Sequence, residues 1–388
     1  MEVMSDESQT PAMPVFSAGC RASGVLLPIT SLPSPYGIGD LGASARSWID
    51  RIHDAGQSYC QFLPLGPTGF GGSPYSSPSS FAGNWLLISP DALLEDGLLQ
   101  ARDIEKISFS ETTVDYEIVT RFKDRLLDNT WARFSSTAGK KLRPAFDLFC
   151  RDHAHWLDDY ALFEALKTIL GGNSYLKWPT ELVQRNPESL AKARRDLANQ
   201  IDRVRLAQFL VFRQGKQLKE HANAKGVRLV GDLPFFVSSD SSDVWANPEL
   251  FLLNKSFRPR FVAGVPPDYF AAQGQLWGNP VYDWDAIRET GFRWCIERVR
   301  ALLTHVDLIR LDHFRGFAAA WYVPAKAKTA RSGNWVPGPG SEFFEAVRNA
   351  LGHLPFIAED LGLITPDVHA LRDQFQMPGA IDLGDEQS

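Results

Sequence analysis

Residues 306–313 read Val-Asp-Leu-Ile-Arg-Leu-Asp-His, a short apolar run that closes on charge. Four to eight largely apolar residues ending in polar sequence read as a strand buried on both faces. Side chains alternate along a strand, so Arg310 and Asp312 share a face and Leu311 takes the other. A guanidinium beside Asp312 favours its ionised form, as a nucleophilic carboxylate requires. The same spacing also makes ordinary structural ion pairs.

Runs of the same kind lie on either side. Gly24–Ile29, Tyr59–Leu65 and Val227–Leu233 precede it, and Pro355–Ala358 follows. Helical patterns separate them: in 45–55, Ala45, Ile49, Ile52 and Trp48 fall toward one face, with Ser44 or Asp40 in position to cap the start. Alternating strands and helices predict a parallel sheet covered on both sides. Asp232, Asp312 and Glu359 each fall at or near the C-terminal end of a run, where parallel α/β folds, barrel or open sheet, build their sites. Glu359 follows Phe356-Ile357-Ala358, and an apolar surround raises a carboxyl's pKa, which suits a general acid. Two carboxyl groups about 5 Å apart, one ionised and one protonated, are what a retaining glycosidase needs.

Three regions are expected: 1–83 with the first strands and loops, a mostly helical insertion over 84–225, and 226–388 carrying the carboxylates. Within the last, 254–284 is rich in Pro, Gly and aromatics and reads as a long functional loop. Tyr75, Tyr269, Phe270, Trp277 and Trp335 are read as loop aromatics able to stack on sugar rings. Gln275 and Asn279, beside Trp277, offer hydroxyl partners, as do Asp232, His313 and Asp360.

The bulk properties narrow the ligand. The 388 residues are 44% hydrophobic and 22% charged, ordinary globular composition, with a net charge of −6. That balance argues against a nucleic acid or an anionic membrane and suits a neutral substrate. Cys20, Cys60, Cys150 and Cys295 form no CxxC pair and read as free thiols of a reducing compartment. The first fourteen residues lack an apolar leader core and no run is long enough to span a bilayer, so a cytoplasmic, soluble protein is expected. The glycine-rich stretch 66–73 lacks the GK[ST] ending of a phosphate loop, and no GxSxG elbow occurs. His153 and His155 have no zinc-type spacing to a further ligand and read as surface residues.

A series of segments, in order, is similar to amylomaltases (disproportionating enzymes) of glycoside hydrolase family 77. These are 22–28 (ASGVLLP), 34–40 (SPYGIGD), 72–75 (GSPY), 231–234 (GDLP), 243–248 (DVWANP), 264–270 (GVPPDYF), 274–280 (GQLWGNP), 310–317 (RLDHFRGF) and 357–362 (IAEDLG). The resemblance implies a (β/α)₈ TIM-type barrel with helical insertions and a retaining 4-α-glucanotransferase. Its substrates would be α-1,4-glucans such as maltodextrin, starch or glycogen, with glucose as an acceptor. It implies Asp312 as nucleophile and Glu359 as acid/base. Arg310 and His313 would hold the nucleophile and the adjacent sugar, and Asp232, Asp360, Tyr75, Gln275 and Trp277 would line donor subsites. No metal or organic cofactor is implied. Two other readings stand beside it: a related α-glucan hydrolase, and a glucan-binding fragment without turnover. The family pattern also has a third carboxylate in a THDN-like segment on a later strand, and this sequence has no such segment. The resemblance therefore implies that the last barrel strands are missing from this chain, through truncation or a frame shift, and that the chain alone is weakly active or inactive. Asn84-Trp85 departs from the family's usual Asn-Pro, implying a loop adjustment near Tyr75.

Overall fold

The computed structural model describes residues 21–269 and 271–379. Phe270, Cys20 and the first fourteen residues read for a leader lie outside the described residues, as does the tail 380–388. Nine strands are defined among the described residues: β1 (Gly24–Leu26), β2 (Tyr59–Gln61), β3 (Arg228–Leu233), β4 (Phe261–Val265), β5 (Gln275–Pro280), β6 (Leu308–Leu311), β7 (Ala319–Pro324), β8 (Asn334–Pro337) and β9 (Phe356–Ala358).

Five of them form a parallel sheet in the order β1-β2-β3-β6-β9. These are the five apolar runs of the sequence, trimmed at their ends. The interior residues of β3, β6 and β9 are buried: Leu229, Val230, Leu308, Ile309 and Phe356 are all 3% exposed or less. The helix Ala43–Asp54 joins β1 to β2 and buries Ala45, Ile49 and Ile52, with Trp48 packed at the margin. Its cap differs from the expectation. The helix starts one residue before Ser44, whose hydroxyl donates to Pro33 O (2.6 Å), while Asp40 accepts from the N–H of the capping Gly42 (2.9 Å) rather than from the helix proper.

Residues 84–225 are mainly helical. Asp115 caps Tyr116–Phe134 by accepting from Glu117 N and Ile118 N (3.0 and 3.1 Å), and Asn186 caps Pro187–Asp196 in the same way. The longest helix, Ala198–Ala224, buries Leu206, Leu210, Leu218 and Ala222 in the same apolar core as the sheet and delivers the chain into β3. Each such leucine contributes about 1.5–3 kcal/mol of burial. Gly215 in that helix allows the close approach of His305: a Cβ there would lie 2.1 Å from the imidazole Nδ1. His153, expected at the surface, is instead half-buried among Phe149, Trp156 and Phe212 and accepts a hydrogen bond from the Trp156 indole (3.3 Å).

The region 254–284 is not an irregular loop. It contains β4 and β5, which pair antiparallel and, with β7 and β8, make a second sheet in the order β5-β4-β7-β8. Trp277 and Trp335 therefore sit on strands β5 and β8 rather than in loops. Glycine and proline hid these strands: Gly264 lies at a register shift between β4 and β5, Gly278 takes φ +83°, and Pro280 ends β5.

Candidate active site

The register of the parallel sheet brings the acids together. Asp232 on β3 pairs directly with Arg310 on β6, and Leu311 on β6 pairs with Ala358 on β9. Asp312 and Glu359 are thus each the first residue past neighbouring strand ends. The ladder continues through them: Asp312 N donates to Leu233 O (3.2 Å) and Glu359 N to Leu311 O (3.1 Å).

Arg310 is the hub. Its Nη1 donates to Asp232 Oδ1 (2.8 Å) and to Asp312 Oδ1 (2.9 Å). The two aspartates differ in exposure: the Asp232 side chain is 1% exposed and that of Asp312 29%, so Asp312 faces open space. Burial pushes the Asp232 carboxyl up to about 6, even with Arg310 pulling the other way. Tyr75 donates its hydroxyl to Asp232 Oδ2 (2.7 Å), and burial, reinforced by that carboxylate, raises the phenol far above its usual range. The tyrosine remains a neutral donor.

Past Asp312 the chain turns sharply. His313 adopts left-handed φ 51° and ψ 50°, uncommon for a residue with a side chain. This turn aims the His313 N–H at Glu359 Oε2 (2.8 Å), while Leu361 N donates to Oε1 (3.3 Å) and Phe314 N to Glu359 O (3.0 Å). Glu359 is half-buried. Desolvation raises its pKa, opposed by the His313 N–H and reinforced by the charge of Asp312. One carboxylate fixed by a guanidinium beside a second that holds its proton to higher pH can deliver a nucleophile and a proton to one acetal carbon.

Aromatic residues wall this corner. The His313 ring meets Trp277 edge-on at 4.9 Å and packs against Phe235 and Phe236 at 6.0 and 6.2 Å. Burial, with Arg315 nearby, pushes its imidazole down to about 4, so it is neutral at pH 7. Its Nε2 is enclosed without a partner among the described residues. Gln275 and Trp277 lie two apart on β5, and Gln275 Oε1 accepts from the Trp277 indole (3.1 Å).

Other sequence candidates stand apart from this cluster. Asp360 is buried with its Oδ2 2.5 Å from Arg372 Nη1. Asn279 donates to Val237 O (2.8 Å) and so braces the scaffold. Trp335 stacks under the Arg315 guanidinium at 3.8 Å, and Tyr269 is 95% exposed. The partners the sequence did not indicate are Phe235, Phe236, Arg315 and Arg372. Arg315 and Phe235 sit in quoted or neighbouring motif segments, yet nothing in their spacing signalled which way they face. No cluster of three or more His, Cys, Asp or Glu able to hold a metal ion occurs among the described residues. Cys60, Cys150 and Cys295 are free. No helix among the described residues is long and apolar enough to cross a membrane.

The chain as a whole resembles known proteins. The family model described as 4-alpha-glucanotransferase, glycoside hydrolase family 77, matches residues 27–381. A Synechocystis sp. 4-alpha-glucanotransferase is 47% identical over 362 residues, 92% of this chain and 72% of that protein. The Thermus thermophilus enzyme of the same name is 46% identical, over 92% of this chain and 71% of the relative. Among solved structures, an amylomaltase from Streptococcus agalactiae in complex with acarbose superposes with a TM-score of 0.89 at 38% identity, covering 93% of this chain and 73% of that one. With the α/β fold, the ordered motifs and these matches in agreement, the chain belongs to the 4-alpha-glucanotransferase family, glycoside hydrolase family 77.

Proposed function

We propose that this protein is a retaining 4-α-glucanotransferase in which Asp312 is the nucleophile and Glu359 the acid/base. The observation that carries the assignment is the hydrogen bond from the His313 backbone to Glu359 Oε2, which ties the second carboxyl to the residue next to Asp312. An Asp312 oxygen attacks the anomeric carbon of an α-1,4-linked glucosyl unit. The bond from that carbon to the leaving oxygen breaks, its electron pair stays on the oxygen, and Glu359 supplies the proton. The product is a glucosyl ester of Asp312 with inverted configuration. The 4-hydroxyl oxygen of a second glucan, or of glucose, then attacks the same carbon. Its proton passes to Glu359, Asp312 leaves, and the two inversions give net retention.

Arg310 orients Asp312 and sets a positive charge beside it. Asp232, with Tyr75 and Arg310 holding it, accepts from sugar hydroxyls, and neutral His313 beside Trp277 and Gln275 contacts the sugar at the reacting bond. Asp360, tied to Arg372, acts by fixing the loop after Glu359. The sheet carrying β4 and β5 excludes water and presents the acceptor, which favours transfer over hydrolysis.

The finer architectural reading, five staves of a (β/α)₈ barrel with further strands outside these 388 residues, is part of the same proposal. Three observations support it. Val25 and Leu26 on edge strand β1 are 36% and 51% exposed. Beyond β9 the chain returns alongside, with Ala358 N donating to Pro378 O (2.8 Å). The chain spans about seven-tenths of the length of its relatives.

Incubation with maltotriose tests the reading. A transferase gives glucose and longer maltodextrins at a constant number of reducing ends. A rising number of reducing ends would make it a hydrolase, and binding without turnover would leave a glucan-binding fragment.

A further inference from the structure

A second cavity, of about 290 Å³, lies behind the segment 79–81. Ser79 and Phe81 line it on one side and, on the other, border a small cavity shared with Tyr75 and Asp232. Asp243 anchors this wall by accepting from Ser80 N and Oγ (2.8 and 2.7 Å). The floor is aromatic: Trp156 stacks on Phe81 at 5.9 Å and Trp294 meets it edge-on at 6.2 Å.

Most charged groups of the polar lining are paired. Asp159 is held by Arg185 (2.9 Å) and Arg194 (3.1 Å), and Glu297 by Arg300 (2.7 Å). Glu249 and Arg293 line the cavity as one exposed charge of each sign, with no salt-bridge partner among the described residues. What remains is a set of hydrogen-bond donors and acceptors over aromatic carbon, the chemistry that receives the hydroxyls and C–H faces of a sugar. Trp294 adds a buried indole N–H without an acceptor among the described residues. The volume lies just below the range of small-molecule sites, roughly 300–1,000 Å³, and so suits a glucosyl portion rather than a whole oligosaccharide.

We propose that this cavity is an accessory binding site for a glucosyl portion of an α-glucan, separated from the active site by the wall 79–81. The proposal rests on the glucan reading of the active site. Calorimetric titration of maltohexaose into the Asp312→Asn protein, which binds without turning over, tests it. Two sites per chain are expected, with one lost in Glu249→Ala/Arg293→Ala and, independently, in Ala246→Phe, which fills the cavity from its lining. In the otherwise wild-type chain the same changes should lower kcat/KM on soluble starch several-fold and leave maltotriose unaffected. A single site in the parent protein, or two sites that survive both sets of changes, overturns the accessory site and leaves the active-site assignment standing. Absence of any maltohexaose binding overturns both.

Discussion

Replacing Asp232 by asparagine should stabilise the fold while impairing the site. The carboxyl is raised from 3.8 to about 6, chiefly because it is buried. Both folded and unfolded chains carry the proton well below pH 3.8. Between that value and about 6 the unfolded chain has lost it while the folded chain retains it, so stability falls as pH rises through this window and then levels off. The shift of roughly two units corresponds to about 3 kcal/mol. Asparagine resembles the protonated acid in shape and charge. Its carbonyl still accepts from Arg310, and the Tyr75 hydroxyl accepts from its amide instead of donating. Arg310 keeps Asp312 at 2.9 Å. Urea unfolding of both proteins across this range should give equal stability at the acid end and a variant more stable by up to about 3 kcal/mol above pH ~7. Transfer activity should drop about 10–100-fold, the loss of one charged hydrogen bond to a sugar hydroxyl. A stability difference independent of pH, or a variant less stable throughout, would refute burial as the dominant effect on Asp232.

Asp312→Asn should lower turnover about 10⁴-fold or more while maltohexaose binding, read by calorimetry, persists. In Glu359→Gln, kcat/KM should fall about 10²–10⁴-fold. The wild-type activity should decline as pH rises through the raised Glu359 pKa and the acid form is lost, whereas the glutamine variant should show no such basic limb. Shortening residues 266–274, which connect β4 to β5, should raise the ratio of hydrolysis to transfer, measured as new reducing ends per glucose released.

The five parallel strands were legible in the sequence because each is a short apolar run closed by polar residues, and burial on both faces demands that composition. Asp312 and Glu359 were legible for the same reason: a carboxylate just past such a run stands where side chains first leave the core, and Asp232 was legible as the lone carboxylate near the end of β3. The shared face of Arg310 and Asp312 followed from strand alternation alone, and their hydrogen bond is local to β6 and its end.

Tertiary structure decided the rest. Strands β5 and β8 are mostly exposed and lack a closed apolar run, and β4 joins β7 through antiparallel pairing between segments about sixty residues apart, which no local window records. Asp360 and Asp232 both read as polar groups beside a strand end. Arg372, arriving from a later helix, neutralises the first, whereas the second meets Arg310 and Tyr75. The left-handed turn at His313, which gives Glu359 its backbone donor, is a conformation histidine adopts more readily than most residues, but no local pattern announces it. Periodicity and composition set which residues leave water. Which charge meets which depends on long-range chain placement, and that is fixed only when the elements pack.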